Sequence, residues 1–179
     1  MEVVGTAATG EEAVELFGHA RPDVTLMDLQ LPVMSGLEAI QRIRQLDASA
    51  RIVVLTMYKG DEDIYRALNA GAVTYLLKDM VGSDLMEVIR AVHAGEQPMT
   101  PGVKALLDEH SRQPALTARE IQVLEMVYRG FRNKQIASHL LVQEDTVRVH
   151  LKNIYSKLNV SDRTAAVNVA LRRGIIHLT

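Results

Sequence analysis

Three polar residues stand at the downstream ends of three apolar runs. Asp28 follows Val24-Thr25-Leu26-Met27, Thr56 follows Ile52-Val53-Val54-Leu55, and Lys78 follows Val73-Thr74-Tyr75-Leu76-Leu77. A carboxylate, a hydroxyl and an ammonium gathered in one place suit phosphoryl transfer. The Asp28 carboxylate would be the nucleophile and carry an acyl phosphate. The Lys78 ammonium and the Thr56 hydroxyl would hold the transferred oxygens, where positioning and charge neutralisation do most of the work. Taken singly each has a plainer role, with Asp28 opening a turn, Thr56 capping a helix and Lys78 solvated. Their recurrence at three consecutive run ends favours a shared site.

For these residues to meet, the runs must be neighbouring parallel strands. All three are rich in β-branched residues and apolar on both faces, the pattern of strands covered on both sides of a parallel sheet. Helix-period segments lie between them: Gly36–Leu46, with Leu37, Ile40 and Ile43 on one face, and Asp61–Asn69, with Ile64 and Leu68. Asp61 suits the start of the second and Asn69-Ala70-Gly71 its end. Another helix, over about 82–94, starts near Ser83 and stops before Gly95. This βα rhythm predicts right-handed crossovers in an α/β doubly wound parallel sheet, whose ligands bind outside the carboxyl ends of the strands.

A second set of candidates lies in the last third of the chain. Leu116 to Gly130 reads as a helix, with Thr117 and Glu120 spaced as a capping box and Ile121, Leu124 and Val127 on its apolar face. A short helix follows over 133–140, with Ile136, Ala137 and Leu140 inward, and a third runs over about 143–158. In the third, Val147, Leu151, Ile154 and Leu158 form the stripe to be buried. Arg148, Val149 and Lys152 fall roughly opposite. Two long cations and a small apolar side chain suit a helix lying in a DNA major groove. The cations reach phosphates or guanine edges, and Val149 reaches a thymine methyl. A fourth helix, from about Arg163, ends at Gly174 after Arg172-Arg173.

Composition agrees with two parts. The chain has 179 residues, enough for one large domain or two small ones, and 47% apolar content suits a globular protein. No uncharged apolar run of about 18 residues occurs, so no membrane span is expected. The N-terminus lacks the basic stretch and apolar core of a secretory signal. Cysteine is absent, which excludes disulfides, thiolate nucleophiles and thiolate metal sites; a cytoplasmic location fits. From Pro114 onward ten Lys or Arg face five Asp or Glu, about +5, whereas the preceding residues carry ten against seventeen, about −7. The basic part is the nucleic-acid candidate. Between the two, residues 96–115 hold three prolines, a glycine and a short helical pattern around 103–107. They read as a linker joining a domain over 1–95 to one over 116–179.

Residues 1 to about 95 resemble the receiver domain of bacterial response regulators. The resemblance rests on Asp28 with Leu31-Pro32, Met34 and Gly36, then Val54-Leu55-Thr56, then Tyr75-Leu76-Leu77-Lys78. It implies that Asp28 accepts a phosphoryl group from a histidine kinase, that Thr56 senses that group, that Tyr75 rotates between states, and that Lys78 binds the phosphoryl oxygens. The Gln30 carbonyl would be a magnesium ligand beside Asp28. Residues 116–176 resemble the LuxR-type helix-turn-helix through Leu116-Thr117, Arg119-Glu120, Val123-Leu124, Asn133-Lys134, Ile136-Ala137, Thr146-Val147, His150, Lys157-Leu158, Val160 and Arg163-Thr164. By that likeness Arg148, Val149 and Lys152 face bases or nearby phosphates, while Asn133, Lys134, Thr146 and Lys157 hold the DNA backbone. The fourth helix, 164–172, would be the surface of a homodimer. His150 is read as a packing or phosphate-side residue rather than a metal ligand. Together the two parts are similar to the NarL/FixJ type of response regulator, a transcription regulator of double-stranded DNA and not an enzyme.

The chain departs from the receiver pattern at its start. Met1-Glu2-Val3-Val4-Gly5 looks like the family's second strand and 11–19 its second helix, so roughly 20 to 25 residues of the pattern, with their acidic pair, are missing. Magnesium prefers octahedral oxygen ligands with carboxylate charge. Asp28 and the Gln30 carbonyl are a poor, incomplete set, and phosphorylation should be weak or absent. The family's strand order, 2-1-3-4-5, also leaves two bare edges where the lost strand would lie. Three outcomes are open: an inward shift of residues 1–5 onto the Asp28 strand, pairing with a second chain, or fraying. The first two are favoured. A phosphorylation-independent regulator whose receiver remnant serves for dimerisation is the alternative. An aspartate-nucleophile phosphatase is disfavoured because Gln30 stands where those enzymes place a second aspartate. A lactone sensor is disfavoured by the scarcity of aromatic residues before Gly95. In the helix-turn-helix, Phe131-Arg132 and Val142-Gln143 depart from the family's usual residues, and Gln143 replaces a serine cap.

Overall fold

Ile52, Val53 and Val54 have no exposed surface at all, although they are consecutive residues of one strand. A strand alternates its side chains between two faces, so burial of all three requires cover on both. The computed structural model describes residues 1–57, 59–79 and 82–177, and the side chains of all of these except 82 and 83. The chain divides into two compact units, residues 1–58 with 64–106, and residues 59–63 with 107–179.

The first unit holds α1 (Gly10–Ala20), β1 (Thr25–Met27), α2 (Gly36–Leu46), β2 (Ile52–Thr56), all but the first three residues of α3 (Asp61–Asn69), β3 (Thr74–Leu77) and α4 (Gly82–His93). The side chain of Ser83, expected near the start of α4, lies outside the described residues. The strands form a three-stranded parallel sheet in the order β1-β2-β3. The register pairs Met27 with Val54 and Thr56 with Leu77, which brings the carboxyl ends of the strands to one rim. On one face Val53 and Leu76 pack with Val92 of α4, joined by Val24, Leu55, Val73, Leu85 and Val88. Thr9 caps α1 and a Ser35–Glu38 capping box starts α2. These are local devices that fix where each helix enters.

One expectation is corrected. Among the described residues, 1–7 belong to no strand, β1 is an edge of the sheet, and Val3 and Val4 are 78% and 58% exposed. The inward shift of residues 1–5 onto β1 does not occur. Gly5 lies so close to Leu16 of α1 that an added Cβ would meet its Cδ2 at 2.8 Å. Because α1 in turn packs on α2, a shift by one strand spacing, about 4.8 Å, would pull the segment away from α1. Leu26, facing away from Met27, stays 44% exposed.

The linker helix is longer than the 103–107 pattern suggested. α5 runs Pro101–Ser111, with the Val103 amide donating to Thr100 Oγ1 at 3.3 Å at its start.

The second unit holds α6 (Ala118–Tyr128), α7 (Asn133–Leu140), α8 (Glu144–Leu158) and α9 (Arg163–Arg173). The Thr117–Glu120 capping box starts α6, Asp162 caps α9, and Gly174 ends it at φ 72°. Val147, Leu151, Ile154 and Leu158 are buried together with Val123, Leu124, Ile136 and Ala166 in one core. The stripe anticipated on α8 therefore holds that helix to its neighbours. Among the described residues no helix is long and apolar enough to cross a membrane.

Candidate functional site

At the sheet rim, Asp28 follows β1 and Lys78 follows β3. Lys78 Nζ donates to Asp28 Oδ2 at 2.5 Å, and the Gln30 amide donates to Asp28 Oδ1 at 3.1 Å. Both carboxylate oxygens are thus engaged, although the side chain keeps 24% exposure against 40% for Lys78. Thr56 joins through its backbone, its carbonyl accepting from the Lys78 amide at 2.9 Å, while the residue as a whole is 1% exposed. Tyr75 has no exposed surface. The structure therefore brings Asp28 and Lys78 into direct contact and sets Thr56 beside them.

The loop after Asp28 is built for close approach. A Cβ on Gly36 would meet the Asp28 carbonyl oxygen at 1.8 Å, so only glycine lets α2 start there, and the Gly36 amide donates to the Leu29 carbonyl at 3.1 Å. Between them the Met34 amide donates to the Pro32 carbonyl at 2.8 Å, which puts Val33 at the centre of a tight three-residue turn with φ 67°. A β-branched residue is strained in that region. Nothing in the sequence pattern signalled it, because the constraint comes from fitting the loop between β1 and α2.

The resemblance implied magnesium at this rim. Among the described residues no group of three His, Asp or Glu converges that could hold a metal ion. Asp28, already committed to Lys78 and the Gln30 amide, and the Gln30 carbonyl offer one carboxylate and one neutral oxygen. An octahedral dication needs more oxygen donors and more charge than this. The described residues do not by themselves make the site.

The second site lies on α7 and α8. Asn133, Arg148, Lys152 and Tyr155 line one shallow depression with Leu151, Val160 and Ser161. Val149 is 57% exposed, and Lys134, Thr146, Arg148 and Lys152 are also exposed. The four residues of the inward stripe are at most 7% exposed, so α8 divides into a packing face and an open face. His150 is half-buried between the two. Gln143 gives α8 no side-chain cap, and Glu144 and Asp145 occupy its first turn instead. Carboxylates there interact favourably with the positive end of the helix. These two acids also reach Arg148, a feature the sequence reading overlooked. The i, i+4 and i, i+3 spacings were its available signal.

Lys157 is placed differently from the other cations. Its Nζ donates to Glu120 Oε2 at 2.8 Å, with side-chain exposures of 28% and 4%. Glu120 also accepts from the Thr117 amide and hydroxyl. Burial pushes the Glu120 carboxyl up, but the Lys157 ammonium and the Thr117 donors outweigh it and hold it below the usual carboxylate range. A phosphate at Lys157 would have to compete with this buried carboxylate. Arg119 and Arg163 are likewise structural, donating to the Leu140 and Phe131 carbonyls. Burial raises the phenol of Tyr155, with Arg163 opposing and Asp162 reinforcing the shift.

Comparison with known proteins agrees with both halves. Residues 1–90 match the family described as "Response regulator receiver domain", and residues 114–170 match "Bacterial regulatory proteins, luxR family". The nitrate/nitrite response regulator protein homolog of Haemophilus influenzae is 40% identical over 169 residues, spanning 92% of this chain and 81% of that protein. Among solved structures, the response regulator ChrA of a heme-sensing two-component system is 35% identical, with a TM-score of 0.52 over 97% of this chain and 85% of that one. A structure of two RcsB dimers bound to two parallel DNAs is 25% identical, with a TM-score of 0.64 over 96% of this chain and 85% of that one. A receiver half and a luxR-family half, matched together along single chains by relatives of similar length, place this protein in one family: it is a two-component response regulator with a LuxR-type DNA-binding domain, and so a transcriptional regulator.

Proposed function

We propose that the chain controls transcription by binding double-stranded DNA as a homodimer, with α8 in the major groove and α7 against the backbone. One observation carries the reading: Arg148 and Lys152 stand exposed on α8, beside Asn133 of α7, while the stripe of the same helix is packed into the core. Arg148, Val149 and Lys152 touch base edges or flanking phosphates. Asn133, Lys134 and Thr146 grip the backbone, contacts that set register rather than sequence. The RcsB structure, in which dimers sit on DNA, supports the same use of the corresponding half here, with α9 as the dimer surface.

At the other rim, Asp28 is the phosphoacceptor for a histidine kinase, with Lys78 on the phosphoryl oxygens and Thr56 and Tyr75 reporting the change. The thin donor set for magnesium makes this transfer weak in the chain as it stands. The alternative reading is a regulator that binds DNA independently of phosphorylation. The exposed Val3, Val4 and Leu26 favour a receiver part that serves for association. A phosphatase reading has little support, since the carboxamide of Gln30 offers no acid/base group two residues after Asp28.

The test is affinity for a duplex selected by the protein from a random-sequence pool. Arg148→Ala and Lys152→Ala should each weaken binding, by about 1–3 kcal/mol where a bidentate base contact is lost. Melting temperature should hardly change. Unaltered affinity in both variants at moderate salt refutes the assignment of α8.

A further inference from the structure

Glu144 and Asp145 open α8 one turn ahead of Arg148. Glu144 Oε1 accepts from Arg148 Nη2 at 2.9 Å, and Asp145 Oδ1 accepts from Nη1 at 3.0 Å. Both arms of the guanidinium are therefore held by acid. The three side chains stand well out in solvent, 63% exposed for Arg148, 41% for Glu144 and 87% for Asp145. Ion pairs this exposed contribute little to stability. A helix-end role accounts for acids in the first turn, but not for both side chains converging on the cation that faces DNA.

We infer that Glu144 and Asp145 determine specificity at the DNA interface, by restraining Arg148 from phosphates and directing it to base edges. This rests on the DNA-binding reading of α8. A phosphate contact brings the two carboxylates that hold Arg148 toward a polyanion. The gain from counterion release is offset on every sequence alike. A guanine edge presents neutral acceptors, O6 and N7. The guanidinium has five donors in a rigid fork, so it gives two to guanine and keeps a carboxylate on another. The acids thus weaken non-specific binding more than specific binding. Their position also matters, because the N-terminal residues of a recognition helix are those that meet base edges, and the acids draw Arg148 toward that end.

The experiment measures binding of the full chain, over a range of salt, to a short mixed-sequence duplex and to a duplex selected from a random pool by the unaltered protein. The double variant E144Q/D145N should bind the mixed duplex about three- to tenfold tighter, and its logarithmic salt slope should steepen by about 0.9, one further phosphate neutralised. Discrimination between the two duplexes should fall. In an Arg148→Gln background the same changes should move the slope by less, because no cation is released. An unchanged slope with unchanged or weaker binding to the mixed duplex overturns the inference, since a helix-end role alone gives that result. If the double variant melts early, E144Q and D145N singly are read by the same criterion at about half the shift. Lys152→Ala separates this inference from the reading beneath it. If that variant weakens binding and the acid variants do not tighten it, the inference fails alone. If no duplex is retained from the pool, or Arg148→Ala and Lys152→Ala both bind as well as the unaltered protein, the DNA-binding reading fails and takes the inference with it.

Discussion

Asp28 and Lys78 lie 50 residues apart and meet across the end of a sheet, whereas Arg148 and Lys152 lie one turn apart on a single helix. The first pair is assembled by strand register and closes on itself, the ammonium satisfied by the carboxylate it would share with a phosphoryl group. The second pair is assembled by helical period alone and stays open to solvent, with Arg148 held only by exposed local acids. A rim that depends on tertiary assembly couples its chemistry to the integrity of the sheet. A face laid out along one helix separates binding from stability, because packing residues and contact residues alternate around the same axis.

Incubation with acetyl phosphate and magnesium should label Asp28 at close to background level, while DNA binding by the same sample persists. Efficient labelling that disappears in Asp28→Asn would show that the rim is complete without further acids. On the helix, Ile154→Ala should remove about 2–5 kcal/mol of stability from the second unit, by lost burial and a cavity in its core. Lys152→Ala, two residues earlier on the open face, should leave the denaturant midpoint almost unmoved. Comparable losses for both would abolish the division into two faces.

Glu120 offers an intermediate case, a buried tertiary contact within the helical unit. Glu120→Gln should cost about 1–3 kcal/mol at neutral pH through the loss of a charged partner for Lys157, since glutamine can still serve the capping box. The folded carboxyl titrates below its ordinary value. Its contribution is therefore full above the ordinary carboxylate range and is lost as pH falls through the lowered value. The gap in melting temperature between the unaltered protein and Glu120→Gln should be wide at neutral pH and close in acid. A gap that widened in acid would contradict the sign. The smallest effect is expected at Val33. Its left-handed conformation costs about 1–3 kcal/mol, and glycine gives back about 0.5–1 kcal/mol in unfolded-state entropy. Val33→Gly should therefore raise stability in a melting experiment, by about 0–2.5 kcal/mol.

Much of the second unit was legible in the sequence. Thr117 with Glu120, the stripe of Val147, Leu151, Ile154 and Leu158, and the stop at Gly174 are all signals confined to a few turns. Each recurs in the structure at the expected residues. Lys157 was less legible. Its spacing along α8 fits a backbone contact, but its partner Glu120 lies 37 residues away and becomes visible only once α6 and α8 pack. In the first unit the strands and α2 were readable from apolar runs and period. The course of residues 1–7 was not, because strand pairing depends on which neighbour already occupies the space, and α1 holds this segment to itself.

The sequence by itself determined the helices, their caps, the parallel βα rhythm and the cationic face of α8. Backbone period and first-turn chemistry act over a few residues and need no distant partner. Only the tertiary structure decided that Lys78 closes on Asp28, that Lys157 turns to Glu120, that Val33 is forced into a tight turn, and that β1 remains an edge. Each of these depends on segments far apart in the chain arriving at the same place, where charge, packing and close approach are settled between neighbours rather than along the backbone.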